Sequence, residues 1–585
     1  MNSEKNKWDK ESIDMDSISR KPFAQTEKWV WRGIYLLFIG AILVNIKSIF
    51  ADFGIDMEYA LVTSYRTLSG DQMFTEMWEP HQTSAFLVTF FMWIYHSIAG
   101  TWTGVVIFLH IVGALLGGCI SFFVYKVLCE RTDSVVAAII SIFLLTFRPK
   151  ETVFPEFSNM QIGFSVLIFL CVLLFLEDQR RKRWLIAASI ALSLQVLSYP
   201  SCLIVYFCVV FILWFYTEKR LVSISVFTVS CLIQGVCYIL FFLRRMSIKQ
   251  LFSCLQNIFN ADVSHSGASR NIKSYFIFFY EGVAWFSICV AAVLLTIFII
   301  VIYLKKRGRI YEKRAVRNFG LMILSVLVFV SEVVRVLIYR ERLSYIVLFP
   351  LLMLSGGALV KHCSSKEKQV YMVGTILSGG SFLATLMLTN LEFMSTLSYF
   401  VLAVAVSFIP IYRWLQANKS ANLLIIFCGL VIMHRGLSVT TLDGEFSSLL
   451  DMRGIVESGP AAGIVNCYMG VYEIKCDMED WEQHVMPGDN LLIVGPQLNS
   501  MSYMYKDVTI SAPSVISTPT YDEMLLKYWE ENPDKFPDVI AVSCWYGELH
   551  IGEDSWIYQW IQDEFQPSAY IDGRYWRFYR LEEAP

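Results

Sequence analysis

WVWRGIYLLFIGAILVNIKSIFADFGIDMEY, residues 29–59, decides the fold class. Residues 29–50 form an apolar run long enough to cross a hydrocarbon core of about 30 Å. The run ends in Gly54-Ile55-Asp56-Met57-Glu58-Tyr59, which sets two carboxylates at the lip of a span. Ionised groups so close to the bilayer are expensive to desolvate and are a functional-site hypothesis by default. Similar apolar runs recur as far as residue 435, in a chain of 585 residues that is 55% hydrophobic and 17% charged. That is the composition of a membrane protein.

The loops between runs alternate in charge. Lys126/Arg131, Arg180-Arg181-Lys182-Arg183, Lys219-Arg220, Lys305-Lys306-Arg307 with Lys313-Arg314, Lys361/Lys366/Lys368 and Arg413/Lys419 fall on one side, which the positive-inside rule makes cytoplasmic. The expectation is a mainly α, polytopic membrane protein of about thirteen helices. The spans lie near 29–50, 102–125, 133–147, 161–177, 184–198, 201–217, 221–243, 276–304, 317–337, 344–360, 369–388, 396–412 and 420–435. Residues 1–28 are expected to form a cytoplasmic tail of a multi-pass protein of the cell membrane, with the C-terminus extracytoplasmic. Residues 85–98 are too short to span and read as an interfacial helix in an outer loop 51–101; residues 57–69 read as another.

Net charge is −3, but it is unevenly placed. Residues 436–585 hold 8 of the 48 Lys/Arg and 25 of the 51 Asp/Glu. The acidity of this extracytoplasmic tail argues against its docking on an anionic lipid surface or on nucleic acid. Its apolar runs 491–495, 508–510 and 539–543 predict strands, 521–531 and 555–565 helices, and Asp572-Gly573 a closing hairpin, together a small α/β domain. It lacks a Gly-x-Gly-x-x-Gly fingerprint and a nucleophile elbow, which places catalysis elsewhere. Cys467, Cys476 and Cys544 permit at most one internal disulfide.

The outer loops carry both signs. Asp56, Glu58 and His81 lie in the first and Glu156 in the second; Arg244 and Arg245 open the third, and Arg340 and Arg342 the fourth, with Glu332 and Arg335 just inside the span. Arginines here run against the positive-inside trend, and an anionic lipid headgroup would explain them, because guanidinium recognises phosphate bidentately. Glu332 and Arg335, three apart, also read as a neutralising pair, and Asp56 as the N-cap of a helix starting at Met57.

This layout resembles the GT-C glycosyltransferases, within them the protein O-mannosyltransferase and aminoarabinose transferase branch. The resemblance is carried by Asp56-Met57-Glu58-Tyr59, Leu68-Ser69-Gly70-Asp71 and Glu79-Pro80-His81. The branch's Lys-Pro-Pro-Leu-like stretch is replaced by Glu79-Pro80-His81-Gln82. The resemblance implies a polyprenyl-phosphate sugar donor and a catalytic Asp56, assisted by Glu58 and Glu156. Tyr59, His81, Arg244, Arg245, Arg335, Arg340 and Arg342 become the candidates for substrate binding. The acceptor is extracytoplasmic: a cell-wall polymer, a lipid-linked glycan or a protein. Asp56 would act as base in an inverting displacement. Asp56, Glu58 and Glu156 also form a hard oxygen set for Mg²⁺ or Mn²⁺. Rival readings are a flippase for a lipid-linked saccharide, which the lack of internal repeats disfavours, and a non-catalytic glycan-binding relative.

Overall fold

The computed structural model describes residues 26–79, 81–261, 277, 280, 326, 329–340, 345–388, 396–417, 422–442, 445–495, 500–515, 523–545, 548–565, 570–572 and 575–581. The expected spans 276–304 and most of 317–337, loop 389–395, and Arg342 lie outside the described residues.

Among the described residues ten α-helices precede residue 262: α1 (Thr26–Ala51), α2 (Ile55–Ser69), α3 (Ala85–Ala99), α4 (Val105–Cys129), α5 (Ser134–Thr146), α6 (Phe157–Glu177), α7 (Arg183–Ser198), α8 (Ile204–Tyr216), α9 (Arg220–Leu243) and α10 (Ile248–Ala261). They are followed by α11 (Phe349–Leu359), α12 (Ser365–Leu388), α13 (Val401–Ala417) and α14 (Asn422–Leu437). Among the described residues six helices are long and apolar enough to cross a membrane, and four more are apolar but shorter. The chain is a polytopic helical membrane protein. α3 is 15 residues long and exposes Phe90, Trp93 and Ile98.

Beyond α14 the chain forms a small sheet domain with three helices, α15 (Tyr468–His484), α16 (Glu523–Glu531) and α17 (Trp556–Trp560). The main sheet has the order β6 (Thr509–Ile510), β5 (Asn490–Val494), β7 (Val539–Trp545), β10 (Trp576–Arg580), β9 (Tyr570–Asp572). β5 runs parallel to β6 and β7, and β9 and β10 close the sheet as an antiparallel hairpin. The predicted tail strands and closing hairpin are therefore present. The helix α15, with its polar, acidic sequence, was not foreseen. Cys467, Cys476 and Cys544 are not joined to one another by a disulfide.

Among the described residues two large hydrophobic cores stand out. One lies among the long helices. The other joins Phe53, Met57, Tyr59, Leu61 and Trp78 of the first loop to Leu491, Ile493, Val539 and Ile540 of the sheet. α2 is thus a helix of the interface, buried on almost every face. It stops at Gly70, whose φ of 112° is left-handed backbone open to glycine, and the Gly70 N–H closes the last turn on Arg66 O.

Candidate functional site

The site is built on the loop between α5 and α6, residues 147–156. The loop lies on α4 because α4 presents glycines at i and i+4. A Cβ on Gly113 would come within 1.7 Å of Val153 O, and one on Gly117 within 1.9 Å of Arg148 Nη2. No larger residue lets the loop approach this closely. Pro149 and Pro155 stiffen it, and Glu151 takes a φ of 61°. Such backbone is unfavourable for a non-glycine residue and persists only where its surroundings hold it. Here Glu151 is held by the α14 end, with Oε1 3.3 Å from His434 Nε2 and Oε2 3.4 Å from Arg435 Nη1. His434 Nδ1 is 2.6 Å from Glu332, so Glu332 takes part in this network. The expected role of neutralising Arg335 gives way to a partner from another helix.

Asp56 sits in the first turn of α2, one residue inside the helix. The N-cap is Gly54, whose carbonyl accepts from Met57 N–H and Glu58 N–H. The capping role expected of Asp56 is therefore not realised. Its side chain is 28% exposed, and its Oδ2 lies 2.9 Å from Lys150 Nζ. Glu156 is fully buried and caps α6, with Oε2 accepting from Ser158 N–H (2.6 Å) and Oε1 from Asn159 N–H (2.7 Å). Burial, reinforced by the Asp56 charge, pushes its carboxyl up to about 7, against those two N–H bonds and Lys150. Asp56, Lys150 and Glu156 are thus one electrostatic cluster.

His81 packs on Phe157, the residue that follows Glu156. Its ring stacks between Phe157 (centroids 5.0 Å apart) and Tyr199 (4.9 Å), and its backbone N–H donates to Tyr59 Oη at 3.3 Å. Tyr399 Oη donates to Ser158 Oγ at 3.0 Å.

Other sequence candidates lie elsewhere. Glu58, two residues from Asp56, faces away from it, as i and i+2 do on a helix. Its Oε1 accepts from Met501 N–H at 2.6 Å and ties α2 to the sheet domain. Arg340 is exposed and engaged bidentately by Asp451, at 2.7 and 2.8 Å, which lowers the Asp451 carboxyl to about 2. Its guanidinium is therefore committed to a carboxylate of the chain. Arg335 is half-buried in a π-turn, Arg335–Tyr339. Arg244 and Arg245 are exposed at the end of α9 and make no ion pair with a described residue. The divalent-metal set does not converge either: Glu58 points to Met501, Asp56 to Lys150, and both Glu156 oxygens to backbone N–H groups. Among the described residues no three His, Cys, Asp or Glu side chains form a metal-holding group.

The residue that sequence reasoning passed over is Arg148. Its Nη1 donates to the carbonyls of Leu144 and Phe147, both at 3.3 Å, and its solvent-inaccessible Nη2 has no hydrogen-bond partner. Burial, with the like charge of Arg435, pushes the guanidinium down to about 10, so it stays cationic at neutral pH. It lines an apolar cavity of about 340 Å³ between α3, α4, α6 and α7, along with Leu87, Gly117, Phe164, Leu167 and Leu194. The only sequence signal was its place two residues before Lys150, in a loop already singled out for Glu156.

No family model and no curated protein matches the sequence. Among solved structures the chain is similar to the oligosaccharyltransferase AglB of Archaeoglobus fulgidus, seen with an inhibitory peptide and a dolichol-phosphate. The TM-score is 0.43 and the identity 11%, over 88% of this chain and 69% of that one. It is similar also to ArnT of Cupriavidus metallidurans bound to undecaprenyl phosphate, with a TM-score of 0.41 and 10% identity over 95% and 98% of the two chains. For the apo state of ArnT the TM-score is 0.42 and the identity 12%, over 94% and 98%.

Proposed function

We propose that the chain is a membrane glycosyltransferase of the GT-C kind, moving a sugar from a polyprenyl-phosphate donor to an acceptor hydroxyl. The reaction takes place on the membrane face that carries the sheet domain, the face that the charge pattern assigns to the outside of the cytoplasm. The observation that carries this reading is Arg148, a half-buried arginine whose solvent-inaccessible Nη2 has no hydrogen-bond partner, set in an apolar cavity two residues from Lys150. A buried cation without a carboxylate is costly, and a lipid that brings both a phosphate and an apolar tail satisfies the whole site.

The first isoprene units of the donor occupy the cavity, and its phosphate lies between Arg148 and Lys150. Asp56, at the solvent edge, takes the proton of the acceptor hydroxyl as that oxygen bonds the anomeric carbon. The bond from the anomeric carbon to the phosphate oxygen breaks on the opposite face, which inverts the centre. The bonding electrons leave on the phosphate, and Arg148 and Lys150 hold the charge that develops. Phosphate leaves without being protonated, so the mechanism needs no acid. Glu156 stays buried behind Asp56, and the stack of Phe157, His81 and Tyr199 forms an aromatic wall for the sugar.

Turnover of a labelled polyprenyl-phosphate sugar by wild type and by Asp56→Asn tests the reading. Loss of the general base is expected to slow transfer by roughly 10²–10⁴. Unchanged turnover rejects the role of Asp56.

A further inference from the structure

The end of α9 and the start of α10 present a cationic and apolar surface that the proposed site does not use. On α9, Ile233, Val236 and Leu240 are exposed at helical spacing, as a lipid-facing stripe would be. Arg244 follows Leu240 by four residues and so continues that stripe at the point where the span ends. Arg245 and Lys249 are exposed beside it, and none of the three makes an ion pair with a described residue.

α10 has two unlike faces. Cys254, Asn257 and Ile258 are buried on one. This face docks on α16 of the sheet domain, where Asn257 Nδ2 donates to Glu531 at 3.3 Å and Lys527 Nζ donates to Asn257 Oδ1 at 2.6 Å. The other face exposes Ile248 (59%) and Phe252 (68%), one turn apart, next to Lys249. A soluble surface gains nothing from two large apolar side chains among unpaired cations; a membrane interface does.

Charge supplies the reason for such a device. Residues 436–585, with 25 acidic and 8 basic side chains, pack on the loop that follows the first span. An anionic bilayer surface repels such a domain, and cations inserted between the two offset that repulsion. We infer that Arg244, Arg245 and Lys249, with Ile248 and Phe252, form a docking surface for anionic phospholipid headgroups, through which α10 seats the acidic domain on the bilayer. The occupant is a bulk anionic phospholipid, distinct from the lipid donor of the proposed reaction. The inference stands on the exposed face of α10 whether or not that reaction is correct.

Hydrogen exchange of the backbone amides of residues 244–258, in the full chain in lipid nanodiscs, tests it. Three disc compositions are compared: phosphatidylcholine alone, phosphatidylcholine with phosphatidylglycerol, and phosphatidylcholine with undecaprenyl phosphate. Slower exchange is expected in the phosphatidylglycerol discs only. Each cation near the surface is worth about fivefold, so the three together are worth roughly a hundredfold. The variant Arg244→Gln/Arg245→Gln/Lys249→Gln is expected to remove the difference, while Phe252→Ser reduces it. Equal exchange in phosphatidylcholine and phosphatidylglycerol overturns the inference. So does protection by undecaprenyl phosphate, which would place these arginines in the donor site.

Discussion

Arg66 is a fully buried arginine and Arg148 a half-buried one, both beside the first loop, and they are treated in opposite ways. Arg66 Nε donates to Asp71 at 2.7 Å, Nη2 to Glu76 O at 2.6 Å and to Tyr528 Oη at 3.3 Å, and Nη1 lies 3.7 Å from Glu79. Burial lowers its pKa, but Asp71, Tyr528 and Glu79 outweigh burial and raise it above the ordinary value. The partners are themselves tied down, Asp71 by Lys535 and Glu79 by Ser514 and Val515. Arg148 has two carbonyls and an open N–H. A fully paired buried charge locks two parts of a fold together; one left open is a place where something else binds.

That contrast breaks most sharply at Arg66. Arg66→Ala strands Asp71 and Glu79 in the interface and is expected to destabilise the fold by about 3–5 kcal/mol, read as a fall in the thermal midpoint of the detergent-solubilised protein. A midpoint unchanged within error would remove the structural half of the comparison.

Glu156 sharpens it next. Its carboxyl is raised from 4.5 to about 7, so the folded chain holds a proton that the unfolded chain releases. Stability from this group is fully present below about 4.5 and is lost as pH rises through about 7. The loss is about 3 kcal/mol, the free-energy equivalent of the shift. The thermal midpoint of the wild type should therefore fall between pH 5 and pH 8, and that of Glu156→Gln should stay level. A parallel fall in the variant assigns the titration to another group.

Arg148→Met is the converse of Arg66→Ala. It removes a buried cation without stranding a partner, so the thermal midpoint should hold or rise. Donor binding should weaken by roughly 10–100-fold, the worth of a hydrogen bond to a charged group, seen as a higher KM for the polyprenyl-phosphate sugar. A lower midpoint with unchanged KM would make Arg148 structural after all. The smallest effect is expected from Gly117→Ala, whose added methyl meets Arg148 Nη2. The guanidinium must shift, and the KM for donor should rise several-fold; an unchanged KM would show that the position of Arg148 does not matter.

The sequence by itself determined the helical spans, because a hydrocarbon core demands long apolar runs and the loops between them carry a charge bias. It determined the strands and closing hairpin of the tail, since these depend on local hydrophobic patterning. It singled out Asp56 and Glu156 by their places in loops that follow spans. Partners across the chain were not legible. Glu58 meets an N–H 443 residues away, and Arg340 a carboxylate 111 residues away. Whether an arginine is paired depends on which surfaces the fold brings together, and no spacing along the chain records that. Only the tertiary structure could separate Asp56 from Glu58, commit Arg340 to Asp451, and leave Arg148 over Gly117 with a donor to spare. A side chain's composition sets what it can bind, and packing decides what it is still free to bind.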